Sequence, residues 1–266
     1  KLYLSIILLE EKITLADAID KLSKQFFRCM DSDMLTDAID YLDKIIELDP
    51  RHAPAWTLKG NVLSQLAVNT RQGGMRMATD VERTTDDQKR LLKESLKCFK
   101  KAIDINPKSD LAFQYQALTL ARLGRKDQAL ESNNIAIELN PNNFGAGMQG
   151  TSWLINLGRF EEAYEVCKRL KQSSGLGMMS DALRLGFFSN FATTLVGLKR
   201  YEEALVEINR AIDLDVTNAL VWVKKGDILF DLHRTGYLEC FDNAIALEPD
   251  NELWKEMRSD ASSRRI

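Results

Sequence analysis

Ile103-Asp104-Ile105-Asn106-Pro107 and Ile137-Glu138-Leu139-Asn140-Pro141 end 34 residues apart. The same pentapeptide type returns as Ile46-Glu47-Leu48-Asp49-Pro50, Ile212-Asp213-Leu214-Asp215-Val216 and Ile245-Ala246-Leu247-Glu248-Pro249, and it holds four of the five prolines in the chain. A proline just past a helix cannot donate the next backbone hydrogen bond and pushes its predecessor into extended geometry, so each copy marks a helix end and aims the next element.

Two further elements precede each stop. The first is a turn followed by an alanine: Gly124-Arg125-Lys126-Asp127-Gln128-Ala129, Gly158-Arg159-Phe160-Glu161-Glu162-Ala163 and Lys199-Arg200-Tyr201-Glu202-Glu203-Ala204. An alanine there lets two helices approach closely. The second, Trp56-Thr57-Leu58-Lys59-Gly60 and Trp222-Val223-Lys224-Lys225-Gly226, opens a helix with a large ring and a glycine that admits the partner helix. Pro50 to Pro107 exceeds one period by 23 residues and Ala163 to Ala204 exceeds it by 7. Four periods plus those two excesses predict the separation of the two Trp motifs, which is 166 residues.

A helix-turn-helix unit of 34 residues with this Trp, Gly, Ala and Pro pattern resembles the tetratricopeptide repeat (TPR) family, over about residues 15 to 249. Leu22 and Gly147 stand where two units would carry the large aromatic, and Val216 replaces one proline. The resemblance implies an all-α, right-handed α-solenoid of about six hairpins, at 15–49, 52–106, 109–140, 143–174, 181–215 and 218–248. An extra helix is expected within residues 1–14, and a capping helix within 250–266 places Leu253, Trp254 and Met257 on the sixth hairpin. Apolar residues such as Leu35, Ala38, Ile39, Leu42, Ile45 and Ile46 keep the helical period, and no hairpin buries such a stripe alone, so the array is expected to form one domain.

Insertions are expected near 66–91 and 171–180. In the first, Asn69-Thr70 and Gly73-Gly74 read as a loop over about 70–84, and Thr84-Thr85-Asp86-Asp87 as the capped start of a long helix. In the second, Met178 and Met179 are expected to begin a helix and face the core.

Composition excludes several functions. With 36 Lys and Arg against 39 Asp and Glu, the net charge is -3, and no basic stripe of the kind nucleic acids need is present. The run Lys97-Cys98-Phe99-Lys100-Lys101 is followed by Asp104 and reads as a solvated helix face. The four cysteines, Cys29, Cys98, Cys167 and Cys240, lack zinc-site spacing and read as reduced and buried, which fits a cytoplasmic location. His52 and His233 are isolated, so no metal or other cofactor is expected. Leu2 to Leu9 is too short to span a bilayer and no cleavage site follows it. The chain does not begin with Met, which suggests a piece of a longer protein.

No Walker loop, nucleophile elbow, HExxH helix or EF-hand loop occurs, so no enzyme is expected. Glu161-Glu162 and Glu202-Glu203 recur at first turns of helices, where carboxylates favour the positive end of the dipole, and read as structural charge. In proteins of the resembling family, the first helices of successive hairpins line a concave groove that holds an extended peptide or a helix. Helical spacing projects into it Thr57, Asn61 and Gln65; Gln114, Tyr115, Leu118 and Arg122; Met148, Gln149, Ser152 and Asn156; Ser189, Asn190 and Thr193; and Lys224, Asp227 and Asp231. Amides and hydroxyls dominate, which suits a peptide backbone because Asn and Gln donate and accept at once. Thr57, Tyr115 and Gln149 stand where a clamp for a chaperone's acidic tail needs other residues. The expectation is therefore a protein-protein interaction scaffold. The alternatives are a self-assembling structural protein whose Leu4, Ile7 and Leu8 contact a second copy through the terminal helices, and the regulatory arm of a larger enzyme.

Overall fold

The backbone immediately before four of the expected stops is extended, at Asp49 (φ -132, ψ 93), Asn106 (φ -130, ψ 90), Asn140 (φ -141, ψ 93) and Asp215 (φ -153, ψ 98), and before the fifth, Glu248 (φ -131, ψ 73) has left the helical region without reaching the extended one. These residues belong to a computed structural model that describes residues 14–69 and 85–263. Asp215 keeps the geometry although Val216 is no proline, because other local bonds hold the turn. The Asp215 carboxylate accepts from the Thr217 N–H (2.9 Å), as Asp49 does from Arg51 (2.9 Å) and the Asn106 amide oxygen from Lys108 (3.1 Å). Trp222 Nε1 donates to the Val216 carbonyl (2.8 Å), just as Trp56 Nε1 donates to that of Pro50 (3.0 Å). The tryptophan of each motif thus ties its helix to the preceding turn as well as packing beside it.

Thirteen α-helices and no strand occur among the described residues. They are α1 (Leu15–Asp31), α2 (Leu35–Leu48), α3 (Ala53–Asn69), α4 (Asp86–Ile105), α5 (Asp110–Arg122), α6 (Lys126–Leu139), α7 (Phe144–Asn156), α8 (Phe160–Gln172), α9 (Asp181–Gly197), α10 (Tyr201–Leu214), α11 (Ala219–Asp231), α12 (Tyr237–Leu247) and α13 (Glu252–Ser263). Consecutive odd and even helices from α1 to α12 pair as six hairpins. Residues 1–140 and 141–266 form two compact units, the first with three hairpins, the second with three hairpins and α13.

In the five hairpins whose turns are described, one residue at the same point of the turn lies in the left-handed region: Asp33, Gly124, Gly158, Lys199 and His233, with φ from 53 to 76; in the last of them Gly236 (φ 92) follows as a second. The next N–H then reaches back five residues, for example Arg159 N to the Leu154 carbonyl (2.9 Å) and Arg200 N to that of Leu195 (2.8 Å). Only two of the five are glycine, so the closing bonds and the packing hold three other side chains in a conformation they disfavour. His52 is a helix-end histidine too, its Nδ1 accepting from the Ala55 N–H (3.1 Å). The first-turn acids are structural where they can be read: Glu162 pairs with Arg159 and Glu203 with Arg200, each at 2.6 Å.

Ala129, Ala163 and Ala204 are fully buried at the helix crossings. Gly60 faces the Phe99 ring and Gly226 the Phe241 ring, both rings wholly inside, so the motif glycines admit the partner helix as the pattern required. In the first unit Phe26, Leu35, Leu42, Ile45 and Val62 form one apolar cluster; in the second, Val223, Phe241, Ala244 and Trp254 form another. The cap corrects one expectation. Trp254 is buried and Met257 packs on the sixth hairpin, whereas Leu253 points to solvent. Arg258 ties α13 to Asp242 of α12.

Thr85 caps α4 in a reciprocal box with Gln88, so the longest described helix starts where Asp86 and Asp87 were expected to begin it. Residues 70–84 and the expected helix at residues 1–12, with Leu4, Ile7 and Leu8, lie outside the described residues. The segment after α8 is a short 3-10 turn, Ser174–Met178. Met178 is 88% exposed and belongs to neither the next helix nor the core, which α9 begins to fill only from Asp181. All four cysteines are free and buried, and burial pushes the thiols of Cys98 and Cys167 up to about 11, which keeps them unreactive.

Candidate partner-binding face

In the first unit α3 packs on α5, and polar side chains lie between them. Arg122 Nη1 donates to the Ser64 carbonyl (2.9 Å) and hydroxyl (2.6 Å), and Thr119 Oγ1 donates to the same hydroxyl (3.0 Å). Arg122 forms no ion pair among the described residues, and burial lowers its pKa from the usual guanidinium value. Ser64, Ser95 and Thr119, none of them anticipated, complete this buried network, with Ser95 Oγ donating to the Gly60 carbonyl (2.6 Å). Tyr115 stacks on Phe99 with ring centres 6.4 Å apart. Thr57 departs from expectation: it is buried and its hydroxyl donates to the Ala53 carbonyl (3.0 Å), so it offers a partner nothing. Asn61, Gln65, Gln114 and Leu118 are half-buried along the same two helices.

In the second unit α9 packs on both α7 and α11. Asn190 Nδ2 donates to Ser152 Oγ (3.0 Å), joining α9 to α7. Lys224 Nζ donates to Ser189 Oγ (2.8 Å) and Thr193 Oγ1 (3.0 Å), joining α11 to α9. The structure therefore brings together residues that the helical projection could only place on separate helices. Ser152 and Thr193 also donate to their own helix, to the carbonyls of Met148 (3.1 Å) and Ser189 (3.0 Å), so their donor capacity is engaged. Ser189 is a second correction: it is buried and serves as an internal acceptor for Lys224.

What remains for a partner follows by elimination. Gln149 is half-buried, Asn156 is exposed, and neither makes a side-chain hydrogen bond among the described residues. Among the described residues Asn190 retains its amide oxygen and one N–H, and Lys224 retains one N–H. Lys224 has no carboxylate within ion-pair distance among the described residues, and burial lowers its pKa. Asp227 reaches solvent yet is walled by protein, which pushes its pKa up to about 6; the charge of Asp231, one turn on, adds to the effect. Met148 is half-buried, its methyl 3.4 Å from where a side chain on Gly186 would begin.

No group of three or more His, Cys, Asp or Glu among the described residues could hold a metal ion, and no described helix is long and apolar enough to cross a membrane.

A tetratricopeptide repeat family model matches residues 98–131. A protein STIP1 homolog from Dictyostelium discoideum is 31% identical over 121 residues, 45% of this chain but only 21% of that protein, so the match spans about a fifth of the relative's length. Among solved structures, YrrB, described as a TPR protein with an unusual peptide-binding site, is similar with a TM-score of 0.62 at 18% identity, over 82% of this chain and 97% of its own. PilW, described as a type IV pilus biogenesis factor, gives 0.63 at 16% identity over 90% and 97%. The C-terminal part of a TPR repeat-containing protein from Cytophaga hutchinsonii gives 0.64 at 12% identity over 90% and 84%. Proteins of this kind generally mediate protein-protein contacts. The 34-residue period, the repeated caps and turns and the paired helices thus agree with these likenesses: residues 98–131 match the tetratricopeptide repeat, and the fold is similar to that of solved tetratricopeptide repeat proteins.

Proposed function

We propose that the chain is an interaction scaffold that binds a peptide or protein segment along the first-helix faces of its hairpins. The observation that carries this reading is the polar ladder of the second unit. Asn190–Ser152 and Lys224–Ser189/Thr193 hold three successive first helices in fixed register, while Gln149, Asn156, Asn190 and Lys224 keep donors and acceptors unfilled. A rigid row of such groups is pre-organised for an extended backbone, and each exchanged hydrogen bond contributes on the order of 1 kcal/mol net. The peptide-binding site that YrrB is described as having supports the choice of a peptide. Asn61, Gln65, Gln114, Tyr115 and Arg122 form the corresponding set of the first unit. Four buried free thiols suit a reducing, cytoplasmic setting.

The test begins with peptides selected from a displayed library on the intact chain. Asn61→Ala, Gln65→Ala, Gln149→Ala and Asn156→Ala are then combined, since these side chains hold no side-chain hydrogen bond among the described residues and their loss should leave the fold alone. We expect affinity to fall at least roughly tenfold with an unchanged melting temperature. A library without binders, or undiminished affinity in the variant, refutes the proposal.

A further inference from the structure

The first unit has an open pocket of about 680 Å³ between α2, α3 and α4, lined by different side chains from the first-helix face. Its floor is Ile39, Trp56, Leu63 and Cys98. The indole N–H of Trp56 is engaged by the Pro50 carbonyl, so Trp56 offers the pocket apolar ring surface rather than a donor. The volume lies within the range that accepts a bulky side chain with its neighbours.

The rim is basic. Lys59, Lys97, Lys100 and Lys101 line the pocket against Glu94 and Asp104, a net of two positive charges on a chain whose total is -3. Lys59 is committed to Asp43. Among the described residues Lys97 pairs with Glu94 alone, 72% and 49% exposed, a pair that contributes little and exchanges readily. Lys100 and Lys101 are exposed and form no ion pair among the described residues. The basic run that reads from sequence as a solvated helix face thus borders an apolar cavity, because Cys98 and Phe99 turn inward between the lysines. From Lys97 to Asp104 the rim runs about 10 Å along α4, the reach of a short peptide rather than of one small anion.

We propose that this pocket docks an acidic segment of a partner protein, with a bulky apolar side chain against Trp56 and Leu63 and flanking carboxylates toward Lys97, Lys100 and Lys101. Charge complementarity selects the occupant: a basic or uncharged segment would bury the same floor without meeting the unpaired lysines. The site is independent of the groove proposed above, and the two are separable by experiment.

Fluorescein-labelled Gly-Asp-Asp-Phe-Leu-Asp-Asp-Gly is titrated with the intact chain and followed by anisotropy, beside versions with Lys in place of Asp and with Ser-Ser in place of Phe-Leu. Only the first should bind, more weakly as salt rises, and Lys97→Glu with Lys101→Glu should reduce its affinity roughly tenfold or more. Both lysines are exposed, and circular dichroism checks that the variant stays folded. Gln149→Ala with Asn156→Ala should leave this peptide's binding unchanged. Equal binding of the Ser-Ser peptide, displacement by a single-stranded oligonucleotide of the same charge, unchanged affinity in the charge-reversed variant, loss of binding in the groove variant, or no binding at all would each overturn the proposal.

Discussion

Gly60→Ala adds one methyl group, and the structure specifies what it meets. A Cβ on Gly60 would lie 2.6 Å from Phe99 Cε1 and 2.9 Å from two further ring carbons, whereas ordinary contact begins near 3.4 Å. The ring would have to retreat by about 0.8 Å, yet Phe99 is fully buried and stacked against Tyr115. Overpacking of this kind costs about 1–3 kcal/mol, and replacing a mid-helix glycine by alanine returns about 0.8–1 kcal/mol of helix propensity. Because the contact is as close as 2.6 Å, the upper part of that range applies, and the net expectation is a loss of up to about 2 kcal/mol. Two other glycines calibrate it. At Gly226 the nearest atoms are at 3.1 Å (Phe241 ring) and 3.2 Å (Tyr237 carbonyl), so strain and propensity should nearly cancel. At Gly186 only the mobile end of Met148 lies near, at 3.4 Å, so propensity should win and Gly186→Ala should stabilise by about 0.5–1 kcal/mol. Urea unfolding should rank the variants Gly186→Ala above wild type, Gly226→Ala near it and Gly60→Ala below, with Phe99→Leu partly rescuing Gly60→Ala. Gly60→Ala as stable as Gly186→Ala would refute the close-approach argument.

Glu207 is buried, its side chain 6% exposed, between Lys171 (2.5 Å) and Arg210 (3.1 Å), which joins α10 to α8. Replacing both cations by Met strands a buried carboxylate and should cost about 3–5 kcal/mol, whereas Glu207→Gln leaves two cations that reach water and should cost only about 1–2 kcal/mol. The reverse order in urea melts would contradict this reading. Asp227 has a folded-state pKa of about 6 against 3.8 for a free carboxyl, so between those values the folded protein binds more protons and stability falls as pH rises through the window. Asp227→Asn should therefore raise the melting temperature at about pH 8 and have no effect below about pH 4; equal effects at both would remove the cause assigned here.

Local signals carry the hairpins. Proline-bearing stops, left-handed turns with a bond reaching back to the preceding helix and capping residues such as Thr85 act over a few residues, so their spacing is legible without knowing what packs on what. Val216 shows how far this holds: the aspartate before it and Trp222 six residues after it keep the turn where the proline is missing. A helical period likewise identifies which face of α9 or α11 is shared. It cannot say whether a neighbouring helix covers that face, and for this reason Thr57 and Ser189 counted as partner-facing although both are buried.

The amino-acid sequence by itself determined the repeat, its period, the helix boundaries and the polar character of the first-helix faces, because each depends on residues a turn or two apart. Only the tertiary structure decided which polar groups are free and which are engaged. Lys224 meets Ser189 and Thr193 across 35 and 31 residues, and Arg122 meets Ser64 across 58, distances over which no local pattern records a contact. The pocket beneath Lys97 and Lys101 belongs to the same class, since its floor comes from three helices that become neighbours only on packing.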